Sequence, residues 1–563
     1  MKKKWEYYEQ DADKIKYLTE KFNISDLIAK VLINRQITDE SEINVFLNPT
    51  RNDFHDPFLL KDMNIAVERI EKAILNNEKV IIYGDYDVDG ITSISVLKKF
   101  LSERGLETGY YIPSRLDEGY GLNKNAIDKI SQDKYTLMIT VDCGISGMEE
   151  VEYANKLGIE TIITDHHEPL DELPNALAII NPKRVDSGYP FRGLAGVGVA
   201  FKLIQALSIK MNLDEKEYLK YLDIVCLGTI SDIVPLVNEN RVIASLGLKL
   251  VEVTKNVGLK ELLKSSKYNK IDSSAVSFGL APRINACGRM GHADKALKLF
   301  LTNNIVEASS ITQELNNYNI ERQNTEKRIF EEALEKIKLE ENKNNNAIIL
   351  SGDNWHHGVI GIVSSKITEM FYKPSILICF EGDEGKGSGR SVRGFDLHNA
   401  LCKTSQFLEK YGGHEMAVGL SLKRNQFNNF KDAFEKIAEE SNLDEIQPVL
   451  KIDAQINSSH MNIDLIRNLN ILEPFGEANK IPIFEYKCLK IDSIRSLSDG
   501  KHLKLTLKDG NLWIDAIGFN MGNLAEEYLI GDRIDLACTL EINSFNKKEK
   551  IQLNIKDIRK SLN

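Results

Sequence analysis

Between Lys79 and about Ile180 the chain alternates short β-branched runs with amphipathic ones, and no other feature restricts its fold as much. KVIIYG, TGYYIP, YTLMITVDCG and ETIITDHH read as strands, while ITSISVLKKFLSERG, NKNAIDKIS and SGMEEVEYANKLG read as helices. Strands joined through helices must run parallel, so this stretch dictates an α/β fold: an open parallel sheet covered by helices on both faces. Ligands in such sheets gather at the carboxyl ends of the strands. The residues just after each strand are therefore where chemistry is expected.

Helical text follows through VGVAFKLIQALSI, KEYLKYLDIVCLGTISD and LGLKLVEVTKN, and a long helical pattern runs from about Asn304 to Asn342, ending in ENKNNN. AIILSGD, KPSILICFEGDEGKGSGRSV and MAVGLSL suggest a second, smaller α/β domain. HLKLTLKDGNLWIDAIGF, DRIDLACTLEINSF and KIQLNIKDI alternate as the strands of a small barrel do. With 563 residues, roughly three to five domains are expected. The text divides into an N-terminal helical extension (1–60), a catalytic domain (61–300), a connecting helix and linker (301–344), a second α/β domain (345–445) and a barrel (446–563). Seven scattered cysteines without a C-x-x-C pair point to a reducing compartment, not to a disulfide framework or a zinc ribbon. The start MKKKWEYYEQ has no apolar run behind its lysines and no membrane span is evident, so a cytoplasmic location is expected. A net charge of -11 gives no global attraction for nucleic acid, which leaves that work to local basic patches.

YGDYDVDG, from Tyr83 to Gly90, fits the start of a calcium loop at Asp85, Asp87, Asp89 and Gly90. Such a loop needs a Glu at its twelfth position, which here is Val96, and an entering helix where this chain has a strand. The alternative is a catalytic centre. The first strand delivers Asp85, Asp87 and Asp89, the third Asp142, and the fourth Asp165, His166 and His167; Asp232 follows the helical run LGTI. Carboxylates that converge repel one another unless a cation lies between them. Oxygen and imidazole ligands without thiolate favour Mn²⁺ or Mg²⁺. Two such ions suit phosphoester hydrolysis, because they generate a nucleophile from water and hold the phosphoryl oxygens. A strand of phosphodiesters also needs cations on the same rim. Arg115 follows the second strand, Arg283 and Arg289 stand either side of Gly288, and Ser388 with Arg390 falls in a glycine-rich stretch that reads as an anion-binding turn.

GDYDVDG, VDCG, TDHH and SDIVP, in that order, resemble the four motifs of the DHH phosphoesterase superfamily. PRINACGRMG, GKGSGRS and YGGHEMAVG are similar to its exonuclease branch, in which a DHHA1 domain and an OB-fold barrel follow the DHH domain. The resemblance implies a 5′ to 3′ exonuclease specific for single-stranded DNA that releases mononucleotides, uses two Mn²⁺ or Mg²⁺ ions and acts in DNA recombination and repair. It implies a strand with a 5′ end as partner, and a helicase and a single-strand-binding protein beside it. By the same resemblance Asp85, Asp87, Asp142, His166 and Asp232 match metal ligands, with Asp142 bridging, and His167 joins Asp142 as a catalytic position. Arg115, Arg289, Ser388 and Arg390 match a pocket for the 5′-terminal phosphate; Arg283 is a further substrate-binding candidate, and His414 is expected to face the nucleotide. Asp89 either caps the helix that begins near Ile91 or binds metal. Many relatives place a histidine just before the first acid, where this chain has Ile81, Ile82, Tyr83 and Gly84, so its first loop supplies no imidazole.

Two rivals share these motifs. Nanoribonucleases and cyclic-dinucleotide phosphodiesterases of the superfamily lack the barrel and usually the extension LIAKVLINRQITDESEINVFLNP; non-catalytic replication scaffolds have lost acids that are intact here. GVGVAF at 196 to 201 lacks the third glycine and preceding strand of a phosphate loop, which favours helix packing. Lys501, Lys504, Lys508 and Trp513 near one hairpin, with Lys547, Lys548 and Lys550 near another, have the basic and aromatic character of a single-strand channel. His356 and His357 lack an accompanying acid cluster and are expected to line the second domain's cleft.

Overall fold

A computed structural model describes residues 3–115, 118–266, 268–339, 346–441, 447–545 and 548–561. They form two compact units, one of residues 55–234 and 246–447, the other of residues 1–54, 235–245 and 448–563.

The first unit contains the parallel sheet. Its order is Thr108–Tyr111, Val80–Gly84, Leu137–Val141, Glu160–Thr164 and Ala178–Ile180, with every pairing parallel. Val80–Gly84 and Leu137–Val141 are buried along their whole length, which is why those runs are continuously apolar and not alternating. The helix Val88–Ser102 lies between the sheet and the helices Gly196–Lys210 and Leu222–Ser231, with its first ten residues all buried. The connecting helix Ile305–Leu339 buries Ile311, Leu315, Ile329 and Ala333 at helical spacing; most of ENKNNN lies outside the described residues.

The smaller α/β domain of this unit has the strand order Lys410–His414, Ala417–Lys423, Glu384–Arg390, Ser375–Glu381 and Ile348–Gly352, of which only the last pair is parallel. GKGSGR is a strand here, not the turn its glycines suggest. A Cβ at Gly387 would stand 2.9 Å from Leu420, and one at Gly389 2.9 Å from Val418. Period-2 glycines let this strand sit flat on the core and leave Lys386, Ser388 and Arg390 on the opposite face.

In the second unit five strands close into a barrel. Phe484–Leu497 pairs with His502–Asp509, then come Leu512–Gly518, Lys548–Lys560 and Arg533–Phe545, which returns to Phe484–Leu497. The sequence treats the N-terminal extension and the barrel as separate segments, but the structure places them in one unit. Leu27, Ile28, Ala29, Val31 and Leu32 of the helix Asp26–Asn34 are all buried in the core that holds Leu503, Leu505 and Leu507. A helix apolar on so many sides must be covered, and the barrel wall covers it. Lys4–Tyr7 also pairs in parallel with Val449–Ile452. Arg241 ties the unit further: it is 1% exposed, its guanidinium lies 3.6 Å from the Phe46 ring centre, and it donates to the carbonyls of Phe46, Ile471, Leu472, Glu473 and Pro474. Burial without a carboxylate partner pushes its pKa down to about 9.

No helix among the described residues is long and apolar enough to cross a membrane.

Candidate active site

The strand ends bring the acids together. Asp85 follows its strand directly and is 5% exposed, while Asp87 caps the helix Val88–Ser102 by accepting from the Gly90 amide at 3.1 Å. Asp142 leaves its strand in the left-handed region at φ 59°, a conformation that costs a non-glycine residue energy and is tolerated where the side chain must be aimed. Its Oδ1 lies 3.2 Å from His166 Nε2, which is in turn 3.5 Å from Asp232 Oδ2 and 3.8 Å from Asp89 Oδ2. Room for Asp142 exists because residue 196 is glycine: a Cβ there would stand 2.5 Å from Asp142 Oδ1.

Among the described residues, ligand-type atoms fall into three groups, each within 4.8 Å: Asp85, Asp87 and Asp142; Asp89, His166 and Asp232; Asp142, His166 and His167. Asp142 and His166 each belong to two of them, so the three groups form one connected cluster. Asp85 Oδ1, Asp142 Oδ1 and His166 Nε2 are buried, and none has a hydrogen-bond partner. Buried polar atoms normally find partners. These three, linked through Asp142, belong to an oxygen and imidazole donor set that suits Mn²⁺ or Mg²⁺. Their electrostatics agree. Burial, and then the neighbouring aspartates, push Asp85 and Asp142 well above the carboxylate range and raise Asp232 to about 9. Burial, and then the His167 charge, lower His166 to about 3, so its ring is neutral and has a lone pair to offer. The set fits a divalent centre although Ile81 to Gly84 supply no imidazole.

Asp89 caps a helix, but not the one beginning near Ile91. Its two oxygens accept from the Gly196 and Val197 amides, both at 2.7 Å, at the start of the helix Gly196–Lys210. GVGVAF is thus the first turn of a helix, and its free amides bind a carboxylate of this chain.

Asp165, one of the strand-end acids but without a counterpart among the matched site residues, and Tyr120, not singled out at all, complete the site. Asp165 Oδ1 accepts from the His166 amide at 2.7 Å, the His167 amide at 3.1 Å and His167 Nδ1 at 2.7 Å, while Oδ2 accepts from the Ile145 amide at 2.9 Å. Burial works against ionising Asp165, yet the His167 hydrogen bond and charge outweigh it and its pKa is lowered; His167 is raised in return, against its own burial. With Nδ1 engaged by Asp165, His167 Nε2 meets the Tyr120 hydroxyl at 3.5 Å. The Tyr120 hydroxyl lies 3.1 Å from His167 Nδ1 and donates to the Asp142 carbonyl at 3.2 Å. An acid two residues before a histidine was the available signal for Asp165; nothing in the text marks Tyr120.

Arg115, Arg289, Ser388 and Arg390 line one pocket of about 260 Å³, together with His357. None of the described residues that line it is acidic. Arg390 Nη1 donates to Ser388 Oγ at 3.1 Å and to the Gly389 carbonyl at 2.7 Å; Arg289 Nη1 donates to the Gly358 carbonyl at 3.0 Å. Burial, and then the charges of Arg115, Arg322 and Arg390, lower Arg289 to about 9. The Arg115 guanidinium lies 5.0 Å from the ring centre of Tyr86, which stands between Asp85 and Asp87 and so connects this pocket to the loop that carries those two acids. Arg283 is not brought there: it bonds to Asn316 Oδ1 and the Gly279 carbonyl, because its place on the helix Ala281–Arg289 faces the connecting helix. His414 is exposed at the end of its edge strand, its Nδ1 accepting from the Met416 amide at 3.3 Å, and it is outside the pocket lining. His356 caps the helix His357–Phe371 through Nδ1.

In the barrel the Lys508 ammonium lies 5.0 Å from the Trp513 ring centre, and the indole is 54% exposed. Lys504 is paired with Asp515 at 3.2 Å, which weakens the basic stripe. Lys547 and the side chain of Lys548 lie outside the described residues, and Lys550 pairs across the ladder with Asn543.

An open parallel sheet whose strand ends gather aspartates and the DHH histidines defines a phosphoesterase of the DHH class, and the chain matches the DHH family N-terminal domain over residues 79–229, the DHHA1 domain over 344–440 and the RecJ OB domain over 452–557. It is 39% identical to the single-stranded-DNA-specific exonuclease RecJ of Bacillus subtilis (99% of this chain, 71% of the relative) and 33% identical to that of Escherichia coli (89% and 90%). Among solved structures, RecJ of Thermus thermophilus in complex with Mn²⁺ superposes with a TM-score of 0.87 at 28% identity, covering 100% of this chain and 80% of that one. The chain belongs to the RecJ family of single-stranded-DNA-specific exonucleases.

Proposed function

We propose that the protein hydrolyses single-stranded DNA from its 5′ end and releases mononucleotides, with Mn²⁺ or Mg²⁺ in two adjacent sites, in DNA recombination and repair. One observation carries the reading: three partnerless buried ligand atoms, Asp85 Oδ1, Asp142 Oδ1 and His166 Nε2, fall in overlapping clusters that meet at Asp142, beside a pocket that holds three guanidinium groups and, among the described residues, no lining acid. Asp85, Asp87, Asp142, His166 and Asp232 would hold the ions, and those ions would supply Lewis acidity and a nucleophile derived from water. This chain's own residues do the rest. Asp142, aimed by its left-handed backbone, is the shared ligand. Asp165 fixes the His167 ring so that Nε2 can hold a proton at the leaving 3′-oxygen. Arg115, Arg289, Ser388 and Arg390 bind the terminal 5′-phosphate, which fixes the polarity of attack. Each cut leaves a new 5′-phosphate on the shortened strand, and the same pocket can take it.

Trp513 and Lys508 offer a stacking and charged contact for the following strand. A helicase that opens duplexes and a single-strand-binding protein are the partners such a reaction calls for, and the cytoplasm is its place. The test is a time course with Mn²⁺ on a 5′-phosphorylated single strand, its duplex and a dinucleotide. The expected outcome is mononucleotides lost from the 5′ end of the single strand, and no product from Asp142→Ala. Preference for the dinucleotide would overturn the assignment.

A further inference from the structure

We propose that His357 is a further specificity-determining residue of the arginine pocket, donating a hydrogen bond to the terminal phosphate and so helping to distinguish a 5′-phosphorylated end from a 5′-hydroxyl end. This rests on the assignment of that pocket to the 5′-phosphate. His357 opens the fifteen-residue helix His357–Phe371 and lines the cavity with Arg115, Arg289, Ser388 and Arg390. Its Nδ1 is buried without a hydrogen-bond partner, whereas Arg289, Ser388 and Arg390 already share bonds within the protein. A buried nitrogen left without a hydrogen-bond partner is uncommon in a folded protein.

The neighbouring residue shows what helix capping alone requires. His356 Nδ1 accepts from the Gly358 amide, so the cap is already filled and His357 is not needed for it. The helix is also pressed against the strand that carries the other contacts: a Cβ at Gly361 would stand 2.9 Å from Ser388 Oγ and 3.2 Å from Arg390 Nη2. Its first turn therefore has a fixed place relative to the guanidinium groups. Burial, and then the cations Lys386 and Arg115, lower His357 to about 4, so the ring is neutral and has one N–H and one lone pair. It adds a donor without adding a further positive charge to three crowded arginines. A terminal phosphomonoester presents three non-bridging oxygens to these donors, and a 5′-hydroxyl presents none.

The experiment uses the full chain with saturating Mn²⁺ and one single strand prepared with either a 5′-phosphate or a 5′-hydroxyl. KM and kcat are measured for wild type, His357→Phe, His357→Gln and Arg390→Ala, with thymidine 5′-monophosphate as a competitive probe. His357→Phe keeps a ring without a donor. It is expected to raise KM for the phosphorylated end and KI for the nucleotide roughly tenfold, and to shift KM for the hydroxyl end much less. His357→Gln, which keeps a donor, recovers most of the loss and decides the matter if the Phe variant misfolds. Equal shifts at both ends, or no shift, overturn the role of His357. If Arg390→Ala also leaves end preference untouched, the phosphate pocket itself is wrong; if it abolishes preference while both His357 variants behave as wild type, only the His357 assignment falls.

Discussion

Asp165→Asn removes one charge beneath His167 and changes almost no volume. In the native site Oδ1 takes three donors, from the His166 and His167 amides and His167 Nδ1, while Oδ2 takes the Ile145 amide. An asparagine has only one oxygen. Turned towards the histidines, it sets its NH₂ against the Ile145 amide; turned away, it sets that NH₂ against three N–H groups. In either orientation the bond to His167 loses its charge assistance or is lost. A hydrogen bond to a charged group is worth about 1.5–3 kcal/mol, which corresponds to a fall in kcat of roughly 10- to 150-fold. The Asp165 charge also raises the His167 pKa against the pull of burial. Without it the proton leaves at lower pH, so the alkaline limb of the kcat profile moves down. Steady-state turnover of single-stranded DNA at saturating Mn²⁺ across pH, with a calorimetric Mn²⁺ titration, separates orientation from ligation: kcat should fall far more than metal affinity. A kcat within threefold of wild type and an unmoved alkaline limb would refute the argument.

Metal-free protein should lose stability as pH rises. Asp232 has a folded pKa of about 9 against an ordinary 3.8, so the folded state holds the extra proton and the penalty for ionising it accumulates between those values. The rise in Tm on adding Mn²⁺ should therefore be larger at pH 8 than at pH 5, and an equal rise at both would count against a shared carboxylate site. Trp513→Ala should weaken binding of long single strands by about 1–3 kcal/mol, read by fluorescence anisotropy at fixed salt, while dinucleotide binding stays as it was; equal loss on both lengths removes the stacking role. This substitution is a cleaner probe than deleting the barrel, which would uncover Leu27, Ile28, Val31 and Leu32. Arg241→Lys leaves several buried carbonyls without a donor and should cost about 3 kcal/mol in urea denaturation; a change under about 0.5 kcal/mol would show the clasp to be incidental.

The sheet was legible because its signal is local: a strand buried on both faces, such as Val80–Gly84, must be apolar throughout, and the helix that follows must carry its own periodicity. The acids were legible for a related reason, since chain direction alone sets Asp85, Asp142 and His166 at the same edge of a parallel sheet. Other features were misread because they depend on what lies opposite. Gly387 and Gly389 look like a turn in text, and only the neighbouring Leu420 and Val418 explain why they are strand residues. Arg283 and Arg289 lie six positions apart on one helix, yet one faces the connecting helix and the other the pocket.

The sequence by itself determined the kind of sheet, the rim at which ligands gather and the hard donors offered there, because backbone periodicity and side-chain chemistry are written residue by residue. Tertiary structure alone decided that Asp89 serves a helix end, that Asp165 aims His167, that His357 stands among the arginines and that the first 54 residues share a core with the barrel. Those outcomes depend on distances between segments far apart in the chain, and such distances are set by packing.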